Sequence, residues 1–278
     1  MVKAVLPESM ADEGAQAMLA NAYHLFLQPG DDILDAAGGL GKFMNWPGPT
    51  FTDSGGFQVM SQGSGLGKVI DMSTVEEPLG DDDVAKGQER MANVDDDGVW
   101  FRSYINGDLH RFTPEISMQI QHNLGADIMF AFDELTTLHN SRGYQEEALE
   151  RTRLWALRCI AEHQRLTEDR SHKPYQALFG VIQGAQYEDL RRKACRDLST
   201  MGFDGFGIGG AWKNSSWEQL FAGAPKSYRK VRRNIFWAYR SPMISLRQST
   251  MAWTPSIVFH PPGWRDRRPS TPRPDDLT

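Results

Sequence analysis

Cysteine is scarce: the 278 residues hold two, Cys159 and Cys195, too few for a disulfide scaffold. Neither has a second cysteine at zinc-finger spacing, so no structural metal can be read from the sequence. No window approaches the roughly 18 consecutive apolar residues of a membrane span, and no basic–apolar–small leader opens the chain. The cytoplasm is the expected compartment. Extremes of composition are also missing. With 40% hydrophobic residues, 24% charged and a net charge of -6, the chain is neither fibrous, collagen-like nor wholly disordered. It is long enough to bury one large core.

What is present is unevenly spread. Residues 1–211 hold 18 Lys+Arg and 32 Asp+Glu; residues 212–278 hold 12 and 4. The chain therefore runs from net -14 to net +8. The tail also carries 5 of the 8 tryptophans and 8 of the 15 prolines. So abrupt a shift marks a domain boundary, a phosphate-binding tail or a segment of different origin.

Up to residue 211, strand-like and helix-like segments alternate. Residues 7–20 read as a short helix running into an apolar stretch at 17–22. Residues 31–43 read as a helix ending in glycines, and 49–53 as a short strand. Residues 98–111 form a hairpin: Val99, Phe101, Tyr104 and Ile105 are strand formers, and Asn106-Gly107 is a hairpin turn. Thr113 caps a helix with Pro114 at its first position and Ile116, Ile120 and Leu124 on its apolar face. Strands follow at 128–132, 178–182 and 206–208, separated by helices at 144–166 and 187–201. This order indicates parallel βαβ units, hence a barrel or a doubly wound sheet. Residues 62–97, rich in Gly and Asp, read as a surface insertion.

Each strand ends in a polar or glycine-rich group: Asn21, then Asp53-Ser54-Gly55-Gly56, Asp133-Glu134, Gln183-Gly184 and Gly209-Gly210. In parallel α/β folds the site lies at the carboxyl ends of the strands. A planar polar heterocycle suits this mixture. Carboxylates accept from a ring N–H and an exocyclic amine, while Gln183 and glycine N–H groups donate to a carbonyl. Phe57 could stack on the ring. Each residue also has a plainer reading. An aspartate after a strand is more often a helix cap, Asn21 could be a cap, Gly55-Gly56 a turn and Gln183 a surface residue. His24 and His122 read as packing residues. The paired Asp53 and Asp133 are the stronger signal, because they recur at corresponding positions of separate βα units.

Five ordered motifs resemble the tRNA-guanine transglycosylase family: Asn21-Ala22-Tyr23-His24-Leu25, Thr52 to Val59, Phe132-Asp133-Glu134, Gly180 to Gly184, and Gly202 to Gly210. The resemblance covers residues 2–211. It implies a (β/α)₈ barrel of the TIM type that exchanges guanine at the wobble position of tRNAs with a GUN anticodon for a 7-deazaguanine, toward queuosine. It implies Asp53 as proton acceptor, oriented by Asn21, with Ser54, Gly55 and Gly56 beside it. Asp133 would hold the edge of the base, Gln183 with Gly209 and Gly210 its carbonyl, and Phe57 would lie against the ring. In intact relatives it further implies a homodimer, a nucleophilic aspartate in an Asp-x-Phe-Asp-Cys-Val-x-Pro-Thr-Arg setting, and zinc on a Cys-x-Cys-x-x-Cys plus His site.

Residues 212–278 contain no cysteine, so neither of the last two features is expected here. The segment that opens the family's barrel is also expected to be absent, leaving the barrel incomplete at both ends. The tail reads as an out-of-frame translation. Read one base out of phase, Trp253 to Pro262 permits Asp-Thr-Phe-Asp-Cys-Val-Ser-Pro-Thr-Arg, the nucleophile motif. Its first Asp is forced, since Trp has a single codon and Thr codons begin AC. Two further stretches, 212–217 and 234–246, permit plausible continuations in the same phase. An out-of-frame tail is expected to be poorly ordered. The chain as written then reads as inactive, with no nucleophile, no cofactor and no metal. The alternatives are a genuine basic tRNA-binding tail, or a non-catalytic tRNA- or partner-binding member of the family.

Overall fold

A computed structural model describes residues 5–63, 92–136 and 140–209 and the pair 235–236; at 60–63, 92 and 235–236 only the backbone is described. The chain divides into two compact units, Met1–Arg240 and Ser241–Thr278. The second lies wholly outside the described residues, as do nearly all of the tail, residues 64–91 of the expected insertion, and Gly210.

The main sheet has six parallel strands in the order β1-β2-β6-β7-β8-β9. They are β1 (Met18–Ala20), β2 (Thr50–Thr52), β6 (Ile128–Phe130), β7 (Ala177–Ile182), β8 (Gly205–Ile208) and β9 (Ile235–Phe236). A three-stranded antiparallel sheet, β3 (Ala92–Val94), β4 (Val99–Arg102) and β5 (Leu109–Phe112), stands apart. The helices are α1 (Pro7–Asp12), α2 (Ala22–Leu27), α3 (Asp31–Ala36), α4 (Leu40–Met44), α5 (Gly56–Gly63), α6 (Pro114–Leu124), α7 (Arg142–Asp169) and α8 (Glu188–Leu198). This is a mixed α/β fold with a mostly parallel sheet, as the alternation of segments indicates. Among the described residues, no helix is long and apolar enough to cross a membrane.

Parallel strands covered on both faces read as unbroken apolar runs, and β7 is one: all six of its residues are buried. Their side chains alternate between two cores. Leu178 and Ile182 join the large cluster beneath the helices, with Met129, Phe132, Trp155 and Phe206. Ala177, Phe179 and Val181 point the other way and pack on Phe51 and Phe130. On the helical side, Phe132 stacks on Trp155 at 5.0 Å between centroids.

Local signals set the element ends. Thr113 Oγ1 accepts the backbone N–H of Ile116 at 3.3 Å, with Pro114 in the first turn, so α6 starts where its cap requires. The hairpin pairs Phe101 with His110 and Arg102 with Leu109, and Gly107 takes the positive φ of 78° that its turn needs. The β3–β4 turn is gripped by one face of α7. Arg151 Nε bonds the Asp96 carboxylate at 3.1 Å, Trp155 Nε1 donates to the Asp96 carbonyl at 2.7 Å, and Arg158 Nη1 donates to the Asp97 carbonyl at 3.2 Å.

One region differs from the sequence reading. Residues 31–43 are not one helix. Gly38 and Gly39 adopt φ of 88° and 96°, a left-handed pair that no right-handed helix accommodates, and the chain divides into α3 and α4. Of the expected insertion at 62–97, the described ends are structured: residues 62 and 63 close α5, while 92–94 form β3. In the expected tail, β9 continues the sheet beside β8, pairing Ile235 with Phe206.

His122 and His163 are buried between α6 and α7, with Nε2 and Nδ1 3.0 Å apart. Burial, with the neighbouring His163 and Arg170 charges, pushes His122 down to about 3. The pair is therefore neutral and shares one proton across the contact, which fits the packing role read from the sequence.

Candidate functional site

Asn21 follows β1, Asp53 follows β2, Asp133 lies three residues past β6, Gln183 follows β7 and Gly209 follows β8. These strands are neighbours in the sheet, so the residues that close them line one edge, at the carboxyl end.

Asp53 is held on several sides. Asn21 Nδ2 donates to its Oδ2 at 2.5 Å, and the N–H groups of Ala22 and Gly55 donate to Oδ1 at 2.9 and 3.3 Å. Asn21 also uses its side-chain oxygen to cap α2 through the N–H of His24 at 3.1 Å. Asn21 thus caps α2 and bonds Asp53 at the same time. Gly55 turns the chain with φ of 78°, and a Cβ there would lie 2.9 Å from Phe112 Cε2. The small antiparallel sheet therefore presses directly on the Asp53 turn.

Asp133 accepts from Ser54 Oγ at 3.2 Å through one oxygen and from Gln183 Nε2 at 2.6 Å through the other. Ser54 thereby links the Asp53 turn to Asp133. Gln183 is 4% exposed, and its Oε1 is buried with no hydrogen-bond partner. A Cβ on Gly209 would come within 2.5 Å of Gln183 Nε2, so only glycine leaves the carboxamide where it is. Phe57 is partly buried in the first turn of α5 beside Gly56. Gly210 lies outside the described residues.

Burial dominates the charge state of both acids. It raises Asp53 to about 7, helped by the Asp133 charge and opposed by the bonds from Ala22, Gly55 and Gln58. It raises Asp133 to about 6, with the Glu134 charge adding and the Gln183 and Ser54 bonds opposing. Near neutral pH the pair can hold or release a proton.

Three supports were not read from the sequence. Gln58, in the first turn of α5, lies close enough to Asp53 to favour its charged form; its signal is its place just after the Gly-Gly turn. Gln121 bridges two strands, accepting from Thr52 Oγ1 at 3.0 Å and donating to the Phe130 carbonyl at 2.9 Å. Ser117, four residues earlier, donates to the Ser54 carbonyl at 2.9 Å. Two polar residues four apart on a buried helix face were the available sign. Glu134, fully buried, is bonded by Tyr144 Oη at 2.6 Å and Arg151 Nη1 at 2.5 Å, which fixes the chain just after Asp133.

The family model for queuine tRNA-ribosyltransferase matches residues 1–222. The chain belongs to this family. Similar curated relatives bear the same name. The one from Roseiflexus sp. (strain RS-1) is 42% identical over 215 residues, covering 76% of this chain and 52% of the relative. Those from Halalkalibacterium halodurans and Staphylococcus aureus (strain JH9) are 44% identical over 209 residues, 75% of this chain and 46% of theirs. The chain spans about half the length of the curated relatives it matches. The family match continues past Ala211, where the quoted motifs end.

The zinc implied for intact relatives finds no fit here. Residues 212–278 offer no cysteine, and among the described residues no three His, Cys, Asp or Glu gather as a metal site.

Proposed function

We propose that the described edge of the sheet is the base pocket of a tRNA-guanine transglycosylase, and that it binds guanine or a 7-deazaguanine. The observation that carries this reading is the Ser54–Asp133–Gln183 chain of hydrogen bonds beside Asp53. Ionised, Asp133 accepts from the ring N–H and exocyclic amine of the base. Gln183 then turns its amide from Asp133 to the base carbonyl, with Gly209 and Gly210 giving it room and backbone donors, and Phe57 lies against the ring. Asp53, poised near 7, takes up a proton as the bases exchange. The parallel sheet is part of a (β/α)₈ barrel in this reading. The macromolecular substrate is a tRNA with a GUN anticodon, whose wobble base leaves its stack to reach the pocket. In this reading the intact protein pairs as a homodimer, and its compartment is the cytoplasm.

Exchange also needs a carboxylate to attack the ribose C1′, so that guanine leaves and the new base can replace it. The chain as written carries no Asp-x-Phe-Asp-Cys motif. It therefore binds the base without exchanging it. That absence is also what favours the second reading, a non-catalytic tRNA- or partner-binding member. Two carboxyls kept near neutrality by burial favour the base pocket, since a purely structural subunit has no use for them.

The test is calorimetric titration of the full chain with guanine, alongside radiolabelled guanine exchange into a cognate tRNA. The exchange assay includes a second version with the reading frame restored after Ala211 and the opening segment added. Guanine binding by the written chain, with exchange confined to the restored one, is the expected result. No binding by either would sink the pocket assignment, and equal exchange by both would sink the account of the tail.

A further inference from the structure

Arg191 is 2% exposed and lies behind the strand ends that carry Gln183 and Gly209. It lies in the first turn of α8, and its side chain runs back toward the helix start, as helical side chains do. There its guanidinium meets three backbone carbonyls. Nε donates to Ala185 O at 2.9 Å, and Nη1 donates to Ile182 O at 3.0 Å and to Gly209 O at 2.9 Å. These carbonyls belong to the ends of two adjacent strands, β7 and β8.

The backbone it holds is not one the chain adopts freely. Gly184 has φ of 134°, and a Cβ there would lie 2.7 Å from the Arg191 backbone nitrogen. Ala185 has φ of 44°, a left-handed conformation that costs a non-glycine residue of order 1 kcal/mol. Gln183 sits just before this turn, and its carboxamide rests on the Gly209 Cα. The relative position of Gln183 and Gly209 is therefore set by one buried fork of donors together with the Gly209 N–H, which donates to the Ile182 carbonyl at 3.0 Å. A rigid planar guanidinium reaches three acceptors at once; a lysine ammonium on a flexible stem does not.

We propose that Arg191 is a positioning residue for the base pocket: it clamps the Gln183–Gly184–Ala185 turn to Gly209 and so fixes the carbonyl-recognising side of the site. This deepens the base-pocket reading and rests on it for the choice of ligand. The clamp itself can be tested without ligand.

Arg191→Lys and Arg191→Gln are compared with the wild-type full chain, with Leu198→Ala, a buried change on the same helix, as the control for lost stability alone. Amide hydrogen exchange is measured on the free chain, and guanine affinity by calorimetry. In the Arg191 variants the amides of 183–185 and 209 should exchange about tenfold faster while other amides keep their protection, and guanine should bind about tenfold more weakly. Leu198→Ala should loosen amides broadly without that local pattern and keep its guanine affinity. Guanidinium ion at low millimolar concentration should restore affinity to Arg191→Ala, and urea at the same concentration should not. If Arg191→Gln does not fold, Arg191→Lys carries the comparison. Unchanged exchange at 183–185 and 209 in a folded variant overturns the clamp, and local loosening with unchanged guanine affinity overturns its positioning role. If the wild type itself fails to bind guanine, the base-pocket reading fails, and the exchange data still decide whether Arg191 holds the turn.

Discussion

Asn21 splits its carboxamide between two jobs: its nitrogen holds Asp53 at 2.5 Å and its oxygen caps α2. Neither atom can be turned without giving up both bonds, so the amide has one orientation. The start of α2 and the direction of the Asp53 carboxylate are therefore a single structural unit.

Asn21→Ala breaks that unit. The lost cap should cost about 1 kcal/mol in urea unfolding. The lost donor should push the Asp53 carboxyl further above its ordinary value, since an N–H aimed at a carboxylate favours the charged form. Carboxyl titration by NMR reads the second effect. An Asp53 titration moving downward would show that Asn21 does not stabilise the anion.

Asp133→Asn should stabilise the protein while weakening base binding. Burial raises Asp133 to about 6, above its unfolded value. Its contribution to stability is therefore full below about pH 4 and lost as pH rises through 6. At pH 8 a neutral amide removes that penalty, and Gln183 can turn its unpartnered Oε1 toward the new NH₂. The expected gain is about 1 kcal/mol at pH 8, fading at pH 4. Guanine affinity should fall at least about tenfold, with an acceptor lost where the base presents donors. Equal melting shifts at both pH values would contradict the burial argument.

The histidine pair slopes the other way. His122 is held near 3, below its unfolded value near 6.5. The unfolded state therefore takes up a proton first as pH falls, and stability is lost from about pH 6.5 downward. Glu162, Arg165, Arg170 and His163 are the charged or titratable groups that bear on it. His122→Gln should flatten unfolding free energy against pH between 6.5 and 4. A variant as acid-sensitive as the wild type would place that sensitivity elsewhere.

Glu134→Ala should be the most damaging of these changes, at roughly 3 kcal/mol, because it leaves the Arg151 guanidinium without its buried partner. Replacing Arg151 by Met in the same chain should recover part of the loss. A double variant no more stable than the single one would mean that the pair is not the origin of the cost.

Much of the proposed site was legible in the sequence because parallel strands place their closing residues on one edge. Asp53, Asp133 and Gln183 each follow an apolar run, and that placement alone nominates them. The Thr113-Pro114 start and the Asn106-Gly107 turn were legible because their chemistry is local. The supports were not. Ser117, Gln121 and Arg191 are polar helix residues buried by partners on other elements, and no local pattern separates them from a solvated helix face. The split between α3 and α4 escaped because Ile33, Leu34 and Leu40 keep an apolar spacing across Gly38-Gly39, while only the backbone angles record the break.

The grip of α7 on the β3–β4 turn also bears on the order of assembly. Asp96 and Asp97 find their partners 55 to 61 residues later in the chain. At about 5–20 residues per second of synthesis, the small antiparallel sheet exists for several seconds before its anchoring helix is made. Its hairpin can pair early, because that contact is local. The small sheet, whose last residue Phe112 packs toward Gly55, is secured only once α7 arrives, so the Asp53 corner takes its final shape seconds after its own residues are made.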